Sequence, residues 1–364
     1  MRTRLQFALA ALGVAALASS ASAQGAQVGG QLEANYSYNF NKPSTRTNTY
    51  LFNTTDGAFT VNVGEVNVKR AVSDKEAGYT LRLITGRIQE YFAATYGTGN
   101  ILEAYGSTKR DLGGKELTVD FGQFLSHVGL ETPDVGSGQF FSKSFNYQYL
   151  QPFVHSGIRA SFSLGDNTTF MGVLVNRFDG VKDPDNRDLG VGFQFARQMG
   201  NSSVSLNVLS ARENVGTSAA VANRSTSVAN IVYNNKLSES TSLAVDATLR
   251  AGKDISNRTY NVSGFTGYLT KTLGNENVIA VRAEYLSQDN ATSAILPLYV
   301  TDPTRKPTLT SITGSYELKG AFPGARTLVE FRMDRAGGAI FPGDKATSIK
   351  KDQTSLTLAQ VFKF

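Results

Sequence analysis

The chain has 364 residues, with 36 Lys and Arg against 30 Asp and Glu, two His and no Cys. A formal charge of +6 without basic clusters does not indicate nucleic-acid binding, and the lack of Cys excludes a disulfide framework and a lipid-anchored N-terminus. Abundant Gly, Phe and Tyr, with no linker-like stretch, favour a single all-β domain.

The N-terminal segment is typical of a secretory signal peptide. Two arginines precede an apolar run from Leu5 to Ala18, and Ala21-Ser22-Ala23 is a small-x-small cleavage site. We therefore expect residues 1–23 to be removed and residues 24–364 to form the mature protein. No later run approaches the roughly 18 apolar residues of a membrane helix, so the exported protein is expected to be either soluble or a membrane barrel.

The first predicted strand, residues 28–40, alternates apolar and polar side chains. Tyr36, Tyr38 and Phe40 cluster at the C-terminal end of its apolar face. In a membrane barrel this face contacts lipid, and the aromatic residues mark the interface with water. In a soluble sandwich the same face would pack against a second sheet.

Similar segments predict about sixteen antiparallel strands, near the size at which a barrel leaves an aqueous lumen. After the first, they are 58–70, 78–86, 100–109, 115–123, 155–164, 168–177, 188–197, 202–212, 225–234, 241–250, 259–270, 278–288, 309–318, 326–335 and 355–364. A change of phase at Gly64-Glu65 indicates a β-bulge. Residues 87–96 are ambiguous and are also compatible with a short helix in a loop.

The connections between these strands alternate in length. Tight turns such as Gly165-Asp166-Asn167 and Met199-Gly200-Asn201 contain residues that tolerate positive φ. The longer polar loops are 41–57, 87–99, 124–154, 178–187, 213–224, 251–258, 289–308 and 336–353. If both termini are periplasmic, every long loop is extracellular, as in outer-membrane barrels.

The last predicted strand places Leu356, Leu358, Phe362 and Phe364 on one face and ends on that final Phe. This pattern resembles the closing strand of bacterial outer-membrane barrels. Loop 124–154 is the longest, and unstructured loops beyond about 12–15 residues are usually functional. Two interpretations remain open for it: a constriction folded into the lumen, or a surface cap.

Three motifs in and beside that loop resemble one family. Gly129-Leu130-Glu131, the segment Phe141-Ser142-Lys143-Ser144-Phe145 and the stretch from Pro152 to Arg159 are similar to the putative β-barrel porin-2 family of outer-membrane proteins, described as OmpL-like. The resemblance covers most of the mature chain. It implies a porin-like outer-membrane β-barrel and no catalytic residues.

Charged side chains on the polar faces are the predicted pore-lining residues. An Arg or Lys facing lipid at mid-membrane costs about 2–4 kcal/mol, so these side chains are expected to point inward. The candidates are Arg82, Arg159, Asp246, Arg250, Arg282, Glu284, Glu330, Arg332 and Asp334, with Glu131 and Lys143 in the long loop. They predict a mixed-charge lumen that screens solutes, although any solvated sheet face would also carry such charges.

Catalytic and metal sites have weaker support. His155 lies beside Ser156 and near Ser161, as a barrel hydrolase would need, but a lone His at a strand end is more often a rim residue, as is His127 in the loop. Asp183, Asp185, Asn186 and Asp188 offer oxygen ligands for Ca²⁺, and an acidic turn explains them equally well. We therefore expect no enzyme, metal or cofactor.

The sequence thus predicts an all-β outer-membrane barrel with periplasmic termini, which passes small hydrophilic solutes by passive diffusion. Its expected partners are outer-membrane lipids and those solutes, not nucleic acid, and a homotrimer is compatible with its size. The alternatives are a non-conducting barrel that acts as an adhesin or receptor through its outer loops, and the hydrolase.

Overall fold

The computed structural model describes residues 25–52, 55–136, 138–165, 167–181, 188–217, 220–253, 257–274, 276–289 and 307–364. The expected signal peptide, residues 1–23, lies outside the described residues. So do Asp183, Asp185 and Asn186 of the candidate Ca²⁺ loop.

Sixteen strands of the described chain form one closed antiparallel barrel, in which each strand pairs with its neighbours in sequence and the first pairs with the last. They are β1 (Gln27–Asn39), β2 (Ala58–Arg70), β3 (Gly78–Thr85), β4 (Ile101–Asp111), β5 (Glu116–Leu125), β6 (Val154–Gly165), β7 (Thr168–Val175), β8 (Gly190–Met199), β9 (Ser202–Thr217), β10 (Ala220–Lys236), β11 (Thr241–Lys253), β12 (Thr259–Thr272), β13 (Val278–Gln288), β14 (Thr308–Leu318), β15 (Ala325–Ala336) and β18 (Asp352–Lys363). The predicted closed antiparallel barrel is confirmed.

Smaller elements lie in the connections. Strands β16 (Phe341–Pro342) and β17 (Ile349–Lys350) form a separate ribbon between β15 and β18. Helix α1 (Arg87–Tyr96) occupies the ambiguous segment between β3 and β4, and a π-helical turn spans Asn146–Leu150. Among the described residues, no helix is both long and apolar enough to cross a membrane.

The side chains are arranged inside out relative to a water-soluble protein. On β18, Leu356, Leu358 and Phe362 are between 41% and 46% exposed, whereas the intervening Thr357 is 2% exposed. The same alternation runs along β1, where Leu32 is exposed and its neighbours on the opposite face are buried. Apolar side chains therefore face outward and polar ones face inward, as in a membrane barrel.

The C-terminal residue helps to close the barrel. Its backbone exchanges two hydrogen bonds with Gly30 of β1, at 3.0 and 3.2 Å. The Phe364 ring occupies the space that a Cβ atom at Gly30 would need. Glycine at this position therefore lets the terminal ring lie across the seam between the first and last strands.

One predicted detail of β2 is wrong. The bulge expected at Gly64-Glu65 lies instead at Asn62, which the pairing of β1 with β2 skips. Asn62 and the following Val63 are both buried, and Asn62 Nδ2 donates to Glu33 Oε2 at 3.1 Å. The extra inward residue thus provides a hydrogen-bond donor to a buried carboxylate.

The prediction of a long loop at residues 213–224 is also wrong. Strand β9 continues to Thr217 and β10 begins at Ala220, and these two residues pair across the hairpin. The segment lacks the apolar alternation by which strands are recognised, whereas backbone pairing requires none. The short turns at the other end of the barrel span two to seven residues. The connection between β11 and β12, residues 254–258, is equally short, so the expected difference between the two ends persists in the remaining connections.

Helix α1 packs against the inside of the long-loop end. It buries Ile88, Phe92 and Tyr96 against residues that include Phe52 and Phe153. The rings of Phe92 and Phe153 lie 5.9 Å apart. The long connections therefore contribute an aromatic cluster to this end of the barrel.

Candidate pore constriction

The connection from β5 to β6, residues 126–153, is folded inside the barrel, and we call it the inner loop. Its backbone contacts inward-facing side chains on distant strands. The Val135 amide donates to Glu33 of β1 at 2.7 Å, and the Leu130 amide donates to Asp246 of β11 at 2.9 Å. The loop therefore spans the lumen from one wall to another.

Wall carboxylates accept hydrogen bonds from the middle of the inner loop, residues 141–145, which we call the charged segment. The Phe141 and Ser142 amides donate to Glu330 at 2.8 and 3.1 Å, and the Phe145 amide donates to Glu284 at 2.5 Å. An irregular loop has no strand ladder for its amides, so buried amides need such partners. Ionised acceptors make these bonds stronger than neutral ones would.

Two arginines hold the carbonyl groups of the same segment. Arg282 Nη1 donates to Ser142 O at 2.6 Å, and Arg332 Nη1 donates to Lys143 O at 2.7 Å. Both guanidinium groups are 0–1% exposed, and each also pairs with a carboxylate of its own strand, Glu284 or Asp334, at 2.8 Å. The wall therefore supplies donors as well as acceptors to the charged segment.

Aromatic rings complete the surroundings of these arginines. The Arg282 guanidinium lies 4.8 Å from the ring centre of Phe140, and that of Arg332 lies between the rings of Tyr50 and Phe145, at 4.7 and 4.8 Å. Cation–π contacts of this kind are strongest where water is excluded. They fix the planes of both guanidinium groups against the loop.

The two predicted loop residues join this network. Glu131 accepts from Arg282 Nη1 at 3.2 Å and from Tyr268 Oη at 3.0 Å. Lys143 Nζ donates to the backbone carbonyl of Asp134 at 2.7 Å. Both side chains thus brace the inner loop.

Arg82 organises a second cluster on β3. It makes ion pairs with Glu65 of β2 at 2.8 Å, Glu103 of β4 at 3.0 Å and Asp134 of the inner loop at 2.7 Å. Burial opposes ionisation of Asp134, but the charges of Arg82 and Lys143 outweigh it and lower the pKa of this carboxyl below its ordinary value. The inner loop is therefore tied to this side of the barrel by an ionised carboxylate.

Asp246 connects the first part of the inner loop with its last part. It accepts from the Leu130 amide, from Asn146 Nδ2 at 3.1 Å and from Gln151 Nε2 at 2.8 Å. Leu130 lies near the beginning of the loop and Gln151 near its end. One buried carboxylate of β11 therefore fixes both ends of the loop relative to each other.

Arg159 and Arg250 lie apart from these clusters. Arg159 Nε pairs with Asp120 at 2.7 Å, and its guanidinium packs on the rings of Tyr105 and Phe124. Arg250 donates to the carbonyl of Tyr149 at 3.1 Å. All eleven predicted residues thus lie on the inner wall or the inner loop, while their influence on solute selectivity stays a prediction.

Several residues of the site were not singled out from the sequence. Glu33, Glu65 and Glu103 lie on inward faces and hold the loop or Arg82. Arg326 donates to the carbonyls of Gly136 and Gly138 at 2.6 and 2.9 Å. It shares the parity of Glu330 on the same predicted strand, so the test that selected Glu330 also applies to Arg326.

The first residues of the inner loop, 126–130, are held differently, and we call them the apolar arm. Val128 packs in a buried cluster that includes Val173 and Leu209. His127 Nε2 lies 3.2 Å from the Val208 carbonyl, and burial lowers the pKa of its imidazole to about 4. This arm depends on packing and on hydrogen bonds to neutral groups up to Gly129, and only its last residue, Leu130, donates to a carboxylate, that of Asp246.

Three clefts adjoin the inner loop or the short-turn end of the barrel. One of about 500 Å³ is lined in part by Arg82, Glu103 and Asp134. Another, of about 330 Å³, lies between the inner loop and Tyr268 of β12. A third, of about 460 Å³, is lined mainly by neutral polar side chains such as Ser203 of β9.

The residues of the alternative hydrolase are not brought together. His155 is buried beside the ring of Phe124, with ring centres 6.4 Å apart. Ser156 follows it directly in β6 and so points to the opposite face, and Ser161 lies about 20 Å farther along the strand. Within the described chain, no group of three or more His, Asp or Glu is arranged to hold a metal ion.

A closed barrel with an apolar outer face, a polar interior and a long loop folded inside it is the architecture of a porin-like outer-membrane protein. The sequence agrees at the level of the family. The chain belongs to the putative β-barrel porin-2 family, OmpL-like, whose model matches residues 25–364. No curated protein is significantly similar in sequence.

Solved outer-membrane proteins share the fold. OmpT of Vibrio cholerae has a TM-score of 0.62 at 12% identity, over 93% of this chain and 97% of that one. The anion-selective porin from Comamonas acidovorans has a TM-score of 0.62 at 10% identity, over 93% and 99%. OprB of Pseudomonas putida has a TM-score of 0.59 at 10% identity, over 95% and 96%. At this identity the likeness shows the fold alone.

Proposed function

We propose that this porin-like protein lets small hydrophilic solutes diffuse passively across the outer membrane, through the space left between the inner loop and the barrel wall. The observation that carries the proposal is an inner loop held across a polar lumen by the wall itself, as Glu330 and Arg332 hold residues 141–143. Such a loop narrows a barrel of this size without sealing it by a separate domain.

We infer the orientation in the membrane from the lengths of the connections. β1 begins and β18 ends at the end of the barrel that carries the short turns. Because outer-membrane barrels have short periplasmic turns, we place both termini in the periplasm and α1 and the aromatic cluster outside. Outer-membrane lipids then surround the exposed apolar belt.

We also propose that the protein is not an enzyme. Separation of His155 from Ser156 and Ser161 supports this, because nucleophilic catalysis requires a base within hydrogen-bond reach of its nucleophile. A homotrimer is the proposed assembly. One structure with the same fold is the trimer form of Vibrio cholerae OmpT, and this supports the proposal.

The second candidate is a non-conducting barrel that binds partners through its outer loops. The observation that favours it is the aromatic packing at the long-loop end, where Phe52, Phe92 and Phe153 fill space inside the wall. A liposome-swelling assay separates the two functions, because only an open lumen admits an uncharged sugar.

The direct test is reconstitution of the folded protein into planar bilayers, with folding checked by heat-modifiable gel migration. We expect discrete conductance steps. Repeated silence from folded protein overturns the channel and favours the non-conducting barrel.

Deletion of residues 132–146 tests the loop as a constriction. This removes the charged segment and leaves the carboxylates and arginines of the wall exposed to lumen water, so single-channel conductance should rise severalfold in proportion to the opened area. A matched control deletes the exposed residues 344–347 between β16 and β17 and should leave conductance unchanged. Equal conductance of the two variants contradicts the constriction.

A further inference from the structure

The charges inside the barrel are unbalanced, although the whole chain is basic. Between the two rims, the inward-facing side chains of the described strands and the inner loop include eleven carboxylates and seven cationic groups. We propose that the channel prefers cationic solutes, a preference that rests on the proposed diffusion function.

The excess is present in each cluster that holds the inner loop. Around Arg82, the carboxylates of Glu65, Glu103 and Asp134 face one guanidinium and the ammonium group of Lys143. Each carboxylate is 3–10% exposed on its side chain, and Arg82 is 17% exposed. This cluster lines the 500 Å³ cleft at the short-turn end, so an entering solute meets it directly.

The cluster at the charged segment repeats the imbalance. Arg282 and Arg332 pair with the carboxylates of Glu131, Glu284 and Asp334. A fourth carboxylate, that of Glu330, accepts from the loop amides beside them. Two arginines therefore neutralise half of the negative charge of these four wall and loop carboxylates.

Isolated groups do not restore the balance. Asp120 and Arg159 are a matched pair, and Glu317 pairs with Arg326 and with Lys319 of the rim. Arg250 adds one positive charge. The excess of carboxylates persists even if Glu33 and Asp246, whose hydrogen-bond donors are uncharged, are themselves neutral.

The positively charged residues of the rim favour anions, but their effect on ion preference is weaker. Lys69, Lys319 and Lys363 at the short-turn end are exposed, and salt screens exposed charges beyond about 8–10 Å at physiological ionic strength. Charges inside a narrow lumen surrounded by lipid are screened less, and their field is focused along the axis. Each uncompensated charge within about 8 Å of a permeating ion changes its local concentration roughly twofold.

The test is the reversal potential of the reconstituted channel in a KCl gradient. We expect a permeability ratio of K⁺ over Cl⁻ of at least about three near 0.1 M salt, falling toward one near 1 M as screening increases. A ratio below one overturns the cation preference while leaving the channel intact. Absence of any conductance overturns the channel, and the preference with it.

Single substitutions test which carboxylates set the permeability ratio. Glu103→Gln keeps the shape of the side chain and should lower the ratio roughly twofold. Glu76→Gln, in the exposed turn between β2 and β3 where Glu76 pairs with Arg70, is the matched control and should leave the ratio unchanged. If Glu103→Gln folds poorly, Ser203→Asp adds a carboxylate to the neutral cleft and should raise the ratio. No change in the ratio of a folded lumen variant contradicts the proposal.

Discussion

The apolar arm and the charged segment belong to one loop, yet they are held by different physics. Residues 126–130 are fixed by the packing of Val128 near Leu209 and by the contact of His127 with a backbone carbonyl. Residues 141–145 are fixed by Glu330, Arg332 and their neighbours through charged hydrogen bonds. Truncation of a buried apolar side chain should therefore release the apolar arm, and removal of a charged side chain should release the charged segment.

The largest effect is expected from Arg332→Ala. Removing one partner of a buried ion pair leaves Asp334 uncompensated, which typically costs about 3–5 kcal/mol. Lys143 is the sole tryptic site in residues 126–153, so release of the charged segment should appear as rapid cleavage after Lys143.

The same strand provides the control for that variant. Arg335 is 74% exposed on its side chain, and Arg335→Ala should leave Lys143 protected. Protection of Lys143 in Arg332→Ala as complete as in the control would contradict the proposed anchoring.

The apolar arm is tested by Leu209→Ala. Leu209 is fully buried in the cluster that holds Val128, and truncation of a buried Leu costs about 2–5 kcal/mol through lost contacts and a residual cavity. Hydrogen exchange of amides 126–130 should accelerate while Lys143 stays protected from trypsin. Leu206→Ala, on the lipid-facing side of the same strand, is the control and should affect neither measurement.

The two regions also differ in how far the sequence revealed them. Charges on one parity of a strand can only point inward in a membrane barrel, so Arg282, Glu330 and Arg332 were found without a structure. Strand β7 is apolar on both faces: Phe170 and Leu174 are exposed, and Val173 is buried. An apolar residue satisfies lipid and a packed interior equally, so parity alone did not reveal the apolar arm.

Contacts between residues far apart in the sequence set a further limit on what the sequence can predict. The number of strands follows from alternation and turn residues, both of which are local. The bulge at Asn62 depends on a donor for Glu33. Wall residues that accept from inner-loop amides lie up to 189 positions away in the sequence, as Glu330 does from Phe141. Such contacts leave no periodic pattern in the sequence.

The smallest expected effect is a dependence on pH, which should distinguish the apolar arm from the ion-paired part of the inner loop without any substitution. Burial holds the pKa of His127 at about 4, below its ordinary 6.5. Above 6.5 neither the docked nor the released arm is protonated, and the docking is at full strength. As the pH falls from 6.5 toward 4, the released arm binds the proton first and docking is lost progressively, by about 1–2 kcal/mol for this half-buried group.

The ion pair of Asp134 with Arg82, which ties the inner loop to β3, should not follow this loss. Asp134, whose pKa lies below its ordinary value, stays ionised at a pH of about 4.5. Protection factors correct hydrogen exchange for its own dependence on pH. At that pH they should be lower than at neutral pH for amides 126–130 and unchanged for the amide of Asp134. His127→Gln keeps a polar side chain without the titration and should remove the difference. An equal fall at both places would mean that acid loosens the inner loop as one unit, and the distinction between the packed arm and the ion-paired part of the loop would fail.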